Sequence, residues 1–317
     1  MSNPVRRGSS TDGILDRVAA APISWGVCEV PGWGLQLEPD RVLAEMRMLG
    51  VAATEAGPDG YLGADAEGVR ALLARHELKL VGGFLPVVLH DPSRLDASLA
   101  AVRQKAAFFA ALGADFICSA AVVDDGWSPR IELADGQWEH LLRALAQVDE
   151  VAAELGVQHV LHPHWRTLVE RDEDVRRVLA GSNVRICLDT GHLVLGGSNP
   201  LEIATSFSDR IGHVHLKDVR EAVAVHLRSG ELELVEAVQH GLFQPLGAGD
   251  AAVEEVVVEL ERSGYGGWYV LEQDSAILGA APHAGEGPID DVCRSIDFLR
   301  QVAQSAGPGL AAAAEGR

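Results

Sequence analysis

Histidines and carboxylates in this chain gather where short apolar runs end. LHPHW carries His162 and His164, LDTGH carries Asp189 and His192, and HVHLKD carries His213, His215, Lys217 and Asp218. VLEQD holds Glu272, and TEAG holds Glu55. Side chains alternate faces along a strand, so His162 and His164 point one way, as do His213, His215 and Lys217. Burying such groups without partners is costly, and one divalent ion is the simplest partner they can share. Imidazole and carboxylate donors suit Mn, Co, Fe, Zn or Ni. A lone histidine at a strand end is more often a hydrogen-bonded core residue. For His213 that reading is preferred, either facing the helical layer or supporting a ligand from behind. His140, His159, His226, His240 and His283 read as ordinary residues of helices, loops or outward strand positions. Four successive strand ends bearing His, Asp, His and Glu do not.

The elements that must position these groups form a rhythm. Apolar runs at 18–27, 51–57, 78–87, 114–120, 157–164, 184–189, 210–218 and 267–273 alternate with stretches of helical spacing. Turns such as LGAD, LGVQ and SGYGG end the helices, with glycine just past the last apolar position. Eight strand–helix units with continuously apolar strands predict an α/β fold, a closed parallel (β/α)8 barrel. A doubly wound sheet would need a GxGxxG turn after the first strand, and none is there. Segments 124–136 and 220–249 fit neither helix nor strand; both follow strand C-termini, where barrels build active sites. Residues 1–16 and 306–317 read as flexible tails around one domain, 17–305.

A formal charge of −20, from 26 basic and 46 acidic residues, repels phosphate backbones and anionic lipids, which argues against nucleic-acid or membrane partners. The most apolar window, 106–123, is broken by Gly113 and Asp115 and reads as helix, turn and strand. Cys28, Cys118, Cys187 and Cys293 form no CxxC pair and read as reduced residues of a cytoplasmic protein. The N-terminus has no apolar stretch of the secretory kind.

TEAGP, HPHWRT, LDTGH, HVHLKDVR, PLGAGD and VLEQD resemble the xylose-isomerase-like barrel superfamily of sugar isomerases, epimerases and dehydratases, over about residues 20–303. Within it, APISWGVCEVPGWG followed by TEAGPDGYLG is most similar to the inosose dehydratases. The resemblance implies a metal quartet of His162, Asp189, His215 and Glu272, with His164 as the other candidate on the fifth strand. The commoner family pattern has glutamate at that first position. The implied cofactor is one divalent metal ion, Mn or Co, with Zn and Fe as further candidates. The implied substrate is a polyol ketone, a polyhydroxylated cyclic ketone such as 2-keto-myo-inositol, which loses a proton next to the carbonyl and then water. His164 is the first candidate for the base. His192 binds substrate or donates the proton, Lys217 stabilises the enolate, and Glu55 contacts substrate hydroxyls or is the alternative base. Trp25, Tyr61 and Arg220 are expected to line and close the pocket, with core packing under the first strand as the other reading of Trp25.

Rival readings are a sugar isomerase or epimerase, a C-glycoside-cleaving lyase subunit with a partner chain, an abasic-DNA endonuclease, and a non-catalytic binding protein. Paired glutamates mark the epimerases, so His162 weighs against that reading. The acidic charge weighs against the endonuclease. A homo-oligomer fits this type of barrel.

Overall fold

Each strand of the barrel is short, because only a few residues are needed to cross it before the chain turns into a covering helix. The computed structural model describes residues 13–314 of the 317-residue chain. The barrel half-turns begin with β1 (Val18–Ala20), α1 (Pro39–Met48), β2 (Ala53–Glu55) and α2 (Ala66–Arg75). Next come β3 (Lys79–Gly82), β4 (Phe84–Val87), α3 (Leu95–Leu112), β5 (Phe116–Ala121), α4 (Asp135–Glu154) and β6 (Gln158–Leu161). The second half holds α5 (Asp172–Gly181), β7 (Ile186–Asp189), α6 (Thr190–Leu195), α7 (Pro200–Ser206) and β8 (Ile211–Leu216). An excursion follows through β9 (Asp218–Val219), α8 (Glu221–Arg228), α9 (Leu234–Gln239) and β10 (Phe243–Gln244). The chain closes with α10 (Val253–Arg262), β11 (Tyr269–Leu271) and α11 (Pro288–Ala314).

The main sheet runs β3-β2-β1-β11-β8-β7-β6-β5-β4 with every pairing parallel. Its two ends, β3 and β4, are halves of one expected strand, so the nine segments amount to eight barrel strands. The break falls at Gly82-Gly83, where the backbone packs too closely for side chains. A Cβ on Gly82 would collide with the Phe116 carbonyl, and one on Gly83 would lie 3.0 Å from Ala56.

Between sheet and helices lies the main apolar core, from Val18 and Trp25 to Leu299. Inside the barrel lie Ala19, Ala53, Val81 and Val270, then Phe116, Cys118, Val160 and Cys187, with Trp268 against both groups. Above them, toward the strand C-termini, the interior becomes polar. Among the described residues no helix is long and apolar enough to cross a membrane.

The expectation that 220–249 is irregular is corrected by the structure. Two short helices and β10, which pairs antiparallel with β9, occupy it, burying Ala224, Leu227, Ala237 and Val238 with Trp33 and Phe243. Helices of eight and six residues are too short for a periodic apolar face to stand out. Asp218 clasps the return of this excursion, accepting from the N–H groups of Gly247, Gly249 and Ala251 at 2.8, 3.0 and 3.0 Å. The PLGAGD segment is thereby a structural turn. Segment 124–136, expected to be irregular, is so as far as residue 134, and α4 begins at Asp135. Most of 1–16 lies outside the described residues, and α11 continues past position 306 to Ala314.

Candidate metal centre and active site

β8 supplies the axis of the site. His213 and His215 alternate with outward Val214 and Leu216, so both imidazoles enter the barrel. The register pairs Asp189 of β7 with His215 and Cys187 with His213. His162 lies just past β6 and Glu272 just past β11, so four strands converge.

One donor atom from each of His162, Asp189, His215 and Glu272 lies within 4.8 Å of the others. His162 Nε2 is 3.3 Å from Asp189 Oδ2, and His215 Nδ1 is 3.6 Å from the same oxygen and 2.6 Å from Glu272 Oε2. Donors at about 2.1 Å from one ion stand roughly 3 Å apart, so these separations fit a shared cation. The His215 Nδ1 and Glu272 Oε2 atoms are buried and make no hydrogen bond, although they face each other. A buried polar atom left in that state is costly, and an ion between the two removes the cost. The residues therefore fit a divalent metal with N and O donors.

Behind this quartet, His215 Nε2 lies 3.0 Å from Glu55 Oε1, and His213 Nε2 lies 2.8 Å from the same oxygen. Burial would push the Glu55 carboxyl up, but the adjacent His215 and His213 outweigh it and hold the acid well below its ordinary range. An ionised carboxylate on the far nitrogen fixes the His215 ring with Nδ1 toward Asp189 and Glu272. Glu55 is thus placed behind the quartet, and His213, read from sequence as a core residue, joins it there.

His164 and His192 stand on the solvent side of the quartet, their rings 3.8 Å apart. His164 Nδ1 donates to the Trp165 carbonyl at 2.8 Å, which leaves its Nε2 with a free lone pair. Both imidazoles are held neutral: loss of water lowers their proton affinity, and neighbouring positive groups lower it further. Lys217 is buried, with Nζ 2.6 Å from Asp274, 3.5 Å from Glu272, 3.8 Å from Asp189 and 3.3 Å from His192. Burial opposes its charge, but these carboxylates outweigh burial and keep the ammonium.

Trp127 and Phe84 complete a wall that sequence reasoning missed. Their rings stack at 6.0 Å, and Trp127 meets His164 at 5.6 Å. Asp274 was missed as well; its position two residues beyond Glu272 on the same side was the available signal. Three expected pocket residues lie outside the cluster. Trp25 is fully buried and donates its indole N–H to Glu45. Tyr61 donates to the Leu37 carbonyl, and Arg220 donates to Gln244.

Gly191 of LDTGH shows how tightly the site is packed: a Cβ there would lie 2.6 Å from Lys217 Cγ. Gly191→Ala should therefore displace the lysine stem, costing about 1–3 kcal/mol by denaturant unfolding and lowering turnover with it. Unchanged stability and turnover would show that the stem does not need this space.

The profile of the xylose isomerase-like TIM barrel family matches residues 43–302. An inosose dehydratase of Geobacillus kaustophilus is 34% identical over 279 residues, covering 82% of this chain and 89% of that protein. A rhizopine catabolism protein, MocC, of Rhizobium meliloti is 31% identical over 267 residues, 81% of each. Among solved structures, an L-ribulose 3-epimerase superposes with a TM-score of 0.67 at 16% identity, over 92% of this chain and 96% of that one. The parallel barrel, the site at its C-terminal mouth and the match over most of its length agree: the chain belongs to the xylose isomerase-like TIM barrel family.

Proposed function

We propose that this protein is a metal-dependent dehydratase that removes water from a polyhydroxylated cyclic ketone such as 2-keto-myo-inositol. The observation that carries the reading is His164, a neutral imidazole of fixed tautomer with a free Nε2 beside the quartet. The similarity to inosose dehydratases supports it. His162, Asp189, His215 and Glu272 would hold the ion, which when bound supplies Lewis-acid polarisation of the substrate carbonyl.

The protein's own residues do the rest. His164 Nε2 takes the proton from the carbon next to the carbonyl. The Lys217 ammonium stabilises negative charge developing on the substrate oxygens. His192, its ring tilted against that of His164, orients a substrate hydroxyl, while Phe84 and Trp127 exclude water from one side of the pocket. The proton held by His164 then passes to the departing β-hydroxyl, which leaves as water and returns the imidazole to its neutral form. Histidine stands at position 162 of the quartet, so Glu272 has no second glutamate there with which to work opposite faces of a substrate. That favours elimination over epimerisation.

Incubating metal-loaded protein with 2-keto-myo-inositol should raise the ultraviolet absorbance of a conjugated dione. No absorbance change, with ketose interconversion in a sugar panel, would sink the dehydratase reading. His164→Asn should lower kcat about 10²- to 10⁴-fold. The protonated imidazole is inactive and its pKa is depressed, so the acid limb of kcat/KM should fall below the ordinary histidine value of 6.5. An acid limb above 6.5 would assign the base elsewhere.

A further inference from the structure

Two buried nucleophilic groups on the barrel axis have no part in the chemistry above. Cys118 of β5 and Cys187 of β7 are 1% and 0% exposed, and both face the interior beside Val160 of the intervening β6. Register places them one step deeper than the quartet. Cys118 pairs with Val160, two residues before His162, and Cys187 lies two residues before Asp189. Their sulfurs and one ring nitrogen of His215 lie within 4.8 Å of one another. Cys118 also lies against the His162 imidazole.

Two thiols and an imidazole are a soft donor set, unlike the N and O donors above them. Thiolates about 2.3 Å from a tetrahedral ion stand roughly 3.8 Å apart, within reach of the observed spacing after side-chain adjustment alone. We propose that Cys118, Cys187 and His215 form a second, deeper metal site that takes a thiophilic divalent ion such as Cd²⁺ or Zn²⁺. Each thiol gives up its proton to solvent as its sulfur bonds the ion, so two protons leave for one dication. His215 belongs to both donor sets, so the two sites would share one imidazole. That consequence rests on the proposed metal quartet; the deep site itself does not.

The test is titration of metal-free protein with Cd²⁺ in a C28S/C293S background, which removes the two half-buried thiols. A sulfur-to-cadmium charge-transfer band should appear and saturate at one ion per chain. It should vanish when C118S and C187S are added and persist in D189N. A hard quartet that fails to bind would leave this band untouched, so the two readings fail separately. The native chain should also give a cadmium-113 resonance shifted downfield into the sulfur-ligated range, which decides the matter if the cysteine variants do not fold. No band at stoichiometric Cd²⁺, a band surviving loss of both cysteines, or a resonance typical of N and O ligands alone would overturn the proposal.

Discussion

Asp189→Asn should reduce affinity for the divalent ion by more than the tenfold to hundredfold typical of losing a ligand's supporting partner, and activity should fall with metal content. Asp189 does two jobs with its two oxygens. Oδ1 accepts the His192 N–H at 2.7 Å and caps α6, while Oδ2 faces His162 and His215. Asparagine keeps an oxygen for the cap but removes the negative charge from the quartet. Its effect therefore falls on the ion, not on the helix. Asp189→Ala would lose the cap too, at about 1 kcal/mol, and would mix the two effects. Elemental analysis after equilibrium dialysis, run beside thermal unfolding, separates them. Full metal occupancy in the asparagine variant would refute the ligand assignment.

Lys217→Met should be costly in two independent ways. Its ammonium is the common counter-charge of Asp274, Glu272 and Asp189. Removing one partner from a buried ion cluster destabilises by about 3–5 kcal/mol, since the remaining charges stay buried. Losing a preorganised charge at the reacting oxygens should lower kcat by about 10²- to 10³-fold. The stability loss carries a pH signature. Burial already pushes the Asp274 carboxyl up from 3.8 to about 6, against the pull of Lys217. Without the lysine that carboxyl rises further. A carboxyl whose folded pKa is raised binds more protons folded than unfolded, so it favours folding at low pH and loses that contribution as pH rises. The deficit of Lys217→Met against the parent should therefore be smaller at pH 5 than at pH 8 in denaturant unfolding of metal-free protein. A deficit equal at both values would mean that the cost comes from packing alone.

Features that depend on local periodicity were legible in the chain alone. Alternation along β8 put His213, His215 and Lys217 on one side, and glycines that cap helices in left-handed conformations, such as Gly113 and Gly264, marked the passages into strands. Asp189 and His215 were legible because each sits in a strand, where side-chain direction follows the pleat.

Tertiary structure decided what lies past that reach. β6 ends at Leu161, so ladder pairing no longer dictates where His162 and His164 point. His162 turns to the quartet, while His164 is set by its own bond to the Trp165 carbonyl. Glu55 lies 158 residues from His213 in the chain, and only closure of the barrel brings them within 2.8 Å. Trp25 was open between pocket and core until the Glu45 carboxylate met its indole N–H. Pairing across strands is a property of the closed sheet, whereas alternation belongs to each strand alone. For that reason the inward direction of Asp189 and His215 could be read from the chain, and the groups that orient them could not.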